Sequence, residues 1–218
     1  MRVLLIGGHG KVARHVSRLL VDRSHSVTAV IRNPDHAADV TADGATSLVA
    51  DVEGMDVDAL AHVVQGHDVV VWSAGAGGGS PSRTYAVDRD AAIRSMDATA
   101  AAGVDRYVMV SYFGSGTDHG VPPDDPFFPY ADAKTAADAH LQESSLAWTI
   151  LRPSRLTDDP PTGRIETSRT GATRGSVPRA DVALVVAEVV ERPSLAGKVI
   201  EFNTGPTPVA QELEAVAS

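Results

Sequence analysis

The chain contains no cysteine, few aromatic residues and no long apolar run. The absence of cysteine excludes disulfide bonds, thiolate nucleophiles and cysteine-ligated metal. No apolar stretch approaches the roughly 20 residues that a transmembrane helix requires, and no small-residue cleavage site follows the first apolar residues, as it would in a signal peptide. We therefore expect a cytoplasmic protein without a membrane partner. Aromatic residues make up only 5% of the chain, which predicts an aliphatic core.

Positive charge is also in deficit, since the formal net charge is -9. This balance argues against a nucleic-acid partner, although it allows a local basic pocket. The eight histidines have no metal-ligand spacing, so we expect no metal site. A length of 218 residues fits one domain over 1–218. Whether that domain is a monomer or a homodimer is left open.

Strand-like and helix-like segments alternate along the chain, and several strand runs are continuously apolar. This pattern is typical of parallel strands covered on both faces. It predicts an α/β fold with a doubly wound, mostly parallel sheet, helices on both faces and a small C-terminal extension on the substrate side. Strands are expected near 2–6, 26–31, 46–50, 68–73, 104–110, 147–151 and 198–203, and helices near 10–22, 56–65, 83–102, 130–144 and 180–191.

Two irregular segments, 112–129 and 153–178, interrupt the alternation and follow predicted strands. Open α/β sheets bind ligands at the carboxyl ends of their strands, so we expect these segments to form a substrate pocket and lid. His119 lies in the first segment, where a surface position is the simpler expectation. Five arginines in or directly after the second segment either attract an anionic substrate or form a solvated lid; they are Arg155, Arg164, Arg169, Arg174 and Arg179.

A glycine-rich turn joins the first predicted strand to the first predicted helix. Gly7, Gly8 and Gly10 follow the apolar strand, and Ala13 lies in the helix that begins directly afterwards. In a dinucleotide-binding turn, Gly7 allows the tight turn, Gly10 allows the pyrophosphate to approach, and Ala13 allows close packing of helix on strand. The free amides at the helix start then bind the phosphates. The sequence therefore predicts a dinucleotide site.

Arg32 follows the second strand, where an acidic residue would bind the adenosine ribose of NAD. An arginine there pairs with the 2′-phosphate of NADP, so we predict NADP (NADPH) as cofactor and NAD as the less favoured one. His9 and Lys11 flank Gly10 and add positive potential.

Tyr130 and Lys134 lie four residues apart in a predicted helix and so share one face. A lysine ammonium beside a phenol lowers the tyrosine pKa and prepares it to exchange a proton with a carbonyl or alcohol oxygen. Ser111 follows a strand at the same edge of the sheet, where its hydroxyl is placed to bond the reacting oxygen. These three residues are the predicted catalytic site, with a nicotinamide supplying hydride.

The chain resembles the short-chain dehydrogenase/reductase superfamily in its compact, atypical NAD(P)H-binding branch. The resemblance covers nearly the whole chain and is carried by the segments 5–14, 30–34, 50–52, 73–76, 107–111, 130–134, 148–153 and 179–183. It implies that Asp51 contacts adenine, that residues 73–75 lie beside the cofactor, that Lys134 binds the nicotinamide ribose and that Tyr130 donates the proton. The predicted cofactor-binding residues are Gly7, Gly8, His9, Gly10, Lys11, Val12, Arg32, Asp51, Val52, Ser73, Ala74, Gly75 and Lys134.

Two departures from that family bear on function. Asp88 stands where larger members have an asparagine in a proton relay, and only a short region follows Pro153, so the substrate pocket is expected to be small or open. We expect an NADP-dependent reductase of a carbonyl in a small-molecule substrate. The alternatives are an epimerase or dehydratase that uses its cofactor transiently, and a non-catalytic NADP(H) sensor.

Overall fold

A computed structural model describes residues 1–77, 80–116 and 118–218. Thr117, which belongs to the first predicted irregular segment, lies outside the described residues. The strands are β1 (Arg2–Ile6), β2 (Ser26–Ile31), β3 (Thr46–Val49), β4 (Val69–Trp72), β5 (Arg106–Val110), β6 (Ala147–Pro153), β7 (Arg155–Thr157), β8 (Arg164–Thr167), β9 (Ser176–Pro178), β10 (Lys198–Thr204) and β11 (Thr207–Pro208). The α-helices are α1 (Lys11–Asp22), α2 (Ala37–Ala42), α3 (Val57–Val64), α4 (Pro81–Thr84), α5 (Ala92–Ala101), α6 (Phe128–Glu143), α7 (Arg179–Glu191) and α8 (Val209–Ala217).

Nine strands form the central sheet in the order β11-β8-β10-β6-β5-β4-β1-β2-β3. The strands from β3 to β10 in that order are parallel, whereas β8 and β11 add antiparallel pairings at one edge. The order of β3 to β6 reverses at β1, which places a crevice outside the carboxyl ends of β1 and β4. The predicted doubly wound, mostly parallel sheet is therefore confirmed.

Alternate residues of the strands pack on opposite faces, as the pleat requires. Val3 and Leu5 pack with α1 and α7 on one face, whereas Leu4 and Ile6 pack with α5 and α6 on the other. The core is largely aliphatic, with Trp72, Tyr107 and Phe202 as buried aromatic exceptions. Among the described residues, no helix combines the length and the apolar character that crossing a bilayer demands.

The long helix predicted over 83–102 is not α-helical throughout. Residues Tyr85–Ala91 form a π-helix between α4 and α5. A π-turn carries an extra residue per turn and often occurs at functional sites. Here it contains Asp88, whose buried carboxylate accepts a hydrogen bond from the backbone N–H of Ala76 (3.0 Å) after β4.

The segment predicted to be irregular over 153–178 contains the short strands β7, β8 and β9. Long-range polar bonds order it. Asp181, in the first turn of α7, accepts bonds from the backbone N–H groups of Thr162 and Gly163 (2.8 Å each). Thr167 donates to the buried Glu212 of α8 (2.6 Å). These partners are distant in sequence, so local composition does not reveal them.

Candidate active site

The turn between β1 and α1 is built so closely that side chains do not fit. Gly7 has φ +87°, and a Cβ there would lie 2.6 Å from the backbone of Ala74. A Cβ on Gly8 would lie 2.6 Å from the Cβ of Ala29. Gly10 has ordinary backbone angles (φ -60°, ψ 148°) and precedes α1 without a capping side chain. The first amides of α1 therefore face open space, which is the cradle that a pyrophosphate requires.

A first cavity of about 330 Å³ lies beside this turn, on the β2 side of the sheet. The predicted residues that line it are Gly7, His9, Gly10, Arg32, Asp51, Val52, Ser73, Ala74 and Gly75. Asp51 also accepts a bond from the backbone N–H of Glu53 (3.2 Å), which shapes the loop after β3. Gly8 does not line the cavity, because it is packed against β2.

The charged wall of the first cavity includes residues that the sequence analysis missed. Glu53 lies between two guanidinium groups, 3.7 Å from Nη1 of Arg32 and 3.5 Å from Nε of Arg83. Arg83 also donates to the backbone carbonyl of Ala76 (2.7 Å). The Arg32 side chain is 56% exposed, so it is accessible to a ligand. In the sequence, the position of Glu53 two residues after Asp51 was the signal that it could line the cofactor site.

His9 stacks on His36 at the mouth of the first cavity, with ring centroids 3.6 Å apart and an interplanar angle of 13°. Nε2 of His9 lies 2.8 Å from Oδ2 of Asp39. His9 was expected only to add positive potential; in the structure it also positions a second imidazole beside Arg32. His36 was not predicted.

A central cavity of about 800 Å³ continues from the glycine turn toward β5. Lys11 and Val12 line it, as predicted, together with Ser111, Tyr130 and Arg179. The side chains of Lys11 and Arg179 both bind Asp158, at 2.7 Å and 2.8 Å. The two cavities share Gly10 and residues 73–75. Together they form an elongated cleft along the carboxyl edge of the sheet, and its glycine cradle fits a dinucleotide.

Ser111 donates a hydrogen bond to Oδ2 of Asp138 (2.9 Å), and Nε of Arg152 binds the same oxygen (3.1 Å). Asp138 is 1% exposed, and its other carboxylate oxygen has no hydrogen-bond partner among the described residues. Since a serine hydroxyl has one proton, Ser111 is left as an acceptor toward the cavity in this arrangement. Asp138 was not predicted, although it lies on the helix face of Lys134, four residues further on.

Tyr130 is half-buried and lines the central cavity, as expected. The predicted lowering of its pKa is wrong. Burial raises the pKa of Tyr130 well above its ordinary value, and the carboxylates of Asp88 and Asp138 raise it further. Its phenol therefore keeps its proton at neutral pH.

The position of Lys134 explains why the pKa of Tyr130 is not lowered, because the lysine ammonium is directed away from the cleft. Nζ donates to the backbone carbonyl of Val110 (2.9 Å) and to Sδ of Met109 (3.1 Å). The side chain is 1% exposed and lines neither the first nor the central cavity. Burial lowers the pKa of Lys134, while Asp138 and Asp88 oppose that change. In this arrangement Lys134 fixes the end of β5, directly before Ser111.

The two further candidates, Asp88 and His119, differ in their position relative to the cavities. Asp88 lines the central cavity, and burial raises the pKa of its carboxyl group. Nδ1 of His119 accepts a bond from the backbone N–H of Val121 (3.1 Å), and its ring packs against Phe128. His119 lines none of the three cavities described here.

An outer cavity of about 390 Å³ adjoins the central one. Ser111 and Tyr130 line both. The walls of the outer cavity come from the start of the first predicted segment, the start of α6 and the 153–178 segment. The structure thus brings Ser111 and Tyr130 together at a junction between two spaces.

Comparisons with known proteins agree with this geometry. Residues 7–193 match a family model described as NAD(P)H-binding. The chain is 32% identical over 216 residues to the uncharacterized sugar epimerase YhfK of Bacillus subtilis, covering 98% of this chain and 99% of that protein. These matches confirm both the predicted dinucleotide-binding fold and the resemblance to compact, atypical short-chain dehydrogenase/reductases.

Two solved structures extend the comparison. A Bacillus halodurans protein, provisionally named an NAD-dependent epimerase/dehydratase, is 33% identical with a TM-score of 0.90 and 99% coverage of both chains. ChuY, an anaerobilin reductase from Escherichia coli O157:H7, is 26% identical with a TM-score of 0.77, covering 95% of this chain and 100% of that one. The relatives thus include both epimerase-type and reductase-type proteins.

Proposed function

Because this chain belongs to the NAD(P)H-binding family, we propose that it is an NADP-dependent reductase of a carbonyl group in a small organic substrate. The observation that carries the proposal is the position of Ser111 and Tyr130, which line both the central and the outer cavity. A carbonyl held at that junction would face the cofactor cleft from one side and two hydroxyl groups from the other.

The chemistry requires one hydride and one proton. A bound NADPH would supply hydride for the carbonyl carbon. The phenol of Tyr130 would give its proton to the carbonyl oxygen, forming an alcohol, and would regain a proton from solvent. Tyr130 is protonated at neutral pH, and its raised pKa makes it a weaker acid than an ordinary phenol, so its proton would pass to the carbonyl oxygen only as hydride transfer makes that oxygen basic. The hydroxyl of Ser111 donates its hydrogen bond to Asp138, which leaves Tyr130 as the proton donor in the pair.

The remaining residues position these groups. Asp138 orients the Ser111 hydroxyl, and Lys134 holds the carbonyl of Val110 immediately before it. The glycine turn and the amides at the start of α1 bind the pyrophosphate. Arg32 is proposed to bind the 2′-phosphate, because Glu53 beside it is shared with a second guanidinium and leaves positive charge available.

The proposal is tested by NADPH oxidation over a panel of small aldehydes, ketones and quinones. Tyr130→Phe keeps the ring and removes the transferable proton, so kcat should fall about 10²–10⁴-fold with cofactor affinity nearly unchanged. Tyr112→Phe is the matched control, since Tyr112 packs beside Tyr130 (ring centroids 5.6 Å apart) but lines only the outer cavity. If the wild type is active and neither substitution lowers kcat, the proton comes from another source.

An epimerase or dehydratase is the second candidate, supported by the names of YhfK and the Bacillus halodurans relative. Such an enzyme would retain its cofactor through purification and convert substrate without net NADPH consumption. A wild type that binds NADPH in the micromolar range but turns over nothing on a broad panel would favour a non-catalytic sensor.

A further inference from the structure

The outer cavity combines an aromatic wall with positive charge. Tyr112, Phe127 and Tyr130 pack against one another with ring centroids 5.2–5.6 Å apart, and all three line the cavity. The Phe127 side chain is 43% exposed, although it is large and apolar. Arg155 and Arg174 complete the wall. An exposed apolar surface beside polar groups that converge on the same cavity is the composition of a small-molecule site.

The two arginines differ from most others in this chain in their lack of acidic partners among the described residues. Carboxylates outnumber cationic groups, with 28 Asp and Glu against 19 Lys and Arg. Among the residues that the structure describes, neither Arg155 nor Arg174 has a carboxylate within 4 Å. Most other arginines do have one or donate to a backbone carbonyl; examples are Arg23, Arg152 and Arg179. Two guanidinium groups without acidic partners therefore face one cavity.

The other arginines of the same segment behave differently. Arg164 donates to the backbone carbonyl of Pro206, Arg169 lies 3.7 Å from Glu212, and Arg179 binds Asp158 at 2.8 Å. The sequence alone left all five as either an anion-attracting group or a solvated lid. Only Arg155 and Arg174 of the five line the outer cavity, so the five separate into three that are bound to protein groups and two that face the outer cavity without an acidic partner among the described residues.

The position of Arg174 is also defined by the backbone beneath it. Gly114 has φ +89°, and a Cβ there would lie 3.0 Å from the Cζ atom of Arg174. The guanidinium thus rests directly against this glycine.

We propose that the outer cavity binds the body of a flat, unsaturated carbonyl compound that carries a carboxylate. Its ring packs against Phe127 and Tyr112, its carboxylate pairs with Arg174 and Arg155, and its carbonyl accepts from the hydroxyl of Tyr130. A volume of about 390 Å³ is near the lower end of ligand pockets and suits a molecule of one or two rings. Guanidinium groups bind carboxylates in a fork and also stack on flat systems. The placement of the carbonyl rests on the proposed reductase function, whereas the anion site does not.

The test uses 4-formylbenzoate and its neutral match, methyl 4-formylbenzoate. Binding to the full chain saturated with NADP⁺ is measured by calorimetry, where no reduction occurs, and turnover is measured separately with NADPH. Wild type should bind the acid at least about tenfold more tightly than the ester, because the ester lacks the charge that the arginines recognise. Arg174→Ala and Arg155→Ala should each weaken acid binding about tenfold and leave ester binding within about twofold.

Arg164→Ala is the matched control, since it removes the same charge from the same segment outside the three cavities. Equal wild-type affinities for acid and ester, or an Arg174→Ala variant that behaves like Arg164→Ala, would overturn the anion site. Acid binding that depends on Arg174 without any turnover would support the site and refute the reductase. Turnover of both aldehydes with equal efficiency in every variant would support the reductase and refute the anion site.

A saturated analogue tests the flat body. The compound 4-formylcyclohexanecarboxylate keeps the aldehyde and the carboxylate but loses the planar ring. It should bind about threefold to tenfold more weakly than 4-formylbenzoate, because ring stacking on the aromatic wall is lost. Equal affinity would contradict recognition of a flat ring.

Discussion

At the glycine turn, Gly7 lies against the backbone of Ala74 and Gly8 against the Cβ of Ala29, so that neither has room for a Cβ. At the outer cavity, by contrast, the walls are long side chains from segments far apart in the sequence, such as Phe127 and Arg174. The first region binds through main-chain amides, which substitution on the surface changes little. The second recognises its ligand through side chains alone. A fold of this kind can therefore keep one cofactor while its substrate changes.

The largest expected effect is the loss of cofactor binding at the glycine turn. Gly10→Val should weaken NADPH binding by about 100-fold or more, because a branched side chain would occupy the space that the pyrophosphate needs. Folding should be less affected, since Gly10 has ordinary backbone angles and its nearest Cβ neighbour would be the Gly7 carbonyl oxygen at 3.2 Å. Cofactor titration and thermal unfolding measure the two effects.

Gly7→Ala is the opposite case to Gly10→Val, because its main effect should be on the stability of the fold. Its positive φ and the 2.6 Å contact with Ala74 should destabilise the fold by roughly 2 kcal/mol or more. Gly103→Ala is the control for backbone strain, because Gly103 has φ +69° with nothing within 4 Å of a new Cβ. A well-folded Gly10→Val variant with undiminished NADPH affinity would contradict the role given to the turn.

The contrast also explains what could be predicted from the sequence. The turn depends on neighbouring residues, Gly7 to Ala13, so their spacing contains the structural information. The alternation of apolar strands and helices likewise placed Ser111 at the correct sheet edge. The outer wall depends on bonds between distant residues, such as the one from the backbone N–H of Gly175 to Oγ of Ser154, which are 21 positions apart. No local pattern encodes such a pair.

Tyr130 and Lys134 show the same limit within one helix. Their spacing correctly gave a shared helix, but the pKa of Tyr130 depends on Asp88 and Asp138 around it and on burial. The direction of the Lys134 ammonium depends on the carbonyl that ends β5. Spacing therefore identified the groups, whereas their protonation required the surrounding structure.

A smaller effect is expected at the ribose end of the cleft, where recognition passes from backbone to side chains. Arg32→Ala should weaken NADPH binding by about 1.5–3 kcal/mol, the value of a hydrogen bond to a charged group, and leave NADH binding nearly unchanged. Calorimetric titration of both cofactors measures this difference.

Glu53→Gln is the informative companion to Arg32→Ala. If Arg32 binds the 2′-phosphate, removal of the neighbouring carboxylate (3.7 Å from Arg32) should leave NADPH affinity equal or higher. If Glu53 instead binds the ribose hydroxyls, NADH affinity should fall in this variant. Equal wild-type affinities for NADPH and NADH would remove Arg32 from the proposed site.

The smallest expected effect concerns Asp158, through which the outer segment contacts the glycine region. Its carboxylate binds both Lys11 and Arg179 (2.7 and 2.8 Å), and these two cations line the central cavity. Asp158→Asn should free them for the cofactor phosphates and tighten NADPH binding about twofold to fivefold, the range expected for exposed ion pairs. Asp68→Asn, which removes an equal charge from the pair with Arg2, controls for the change in net charge. Tightening that is equal in both variants, or that persists unchanged at high salt, would show that Asp158 does not compete with the phosphates.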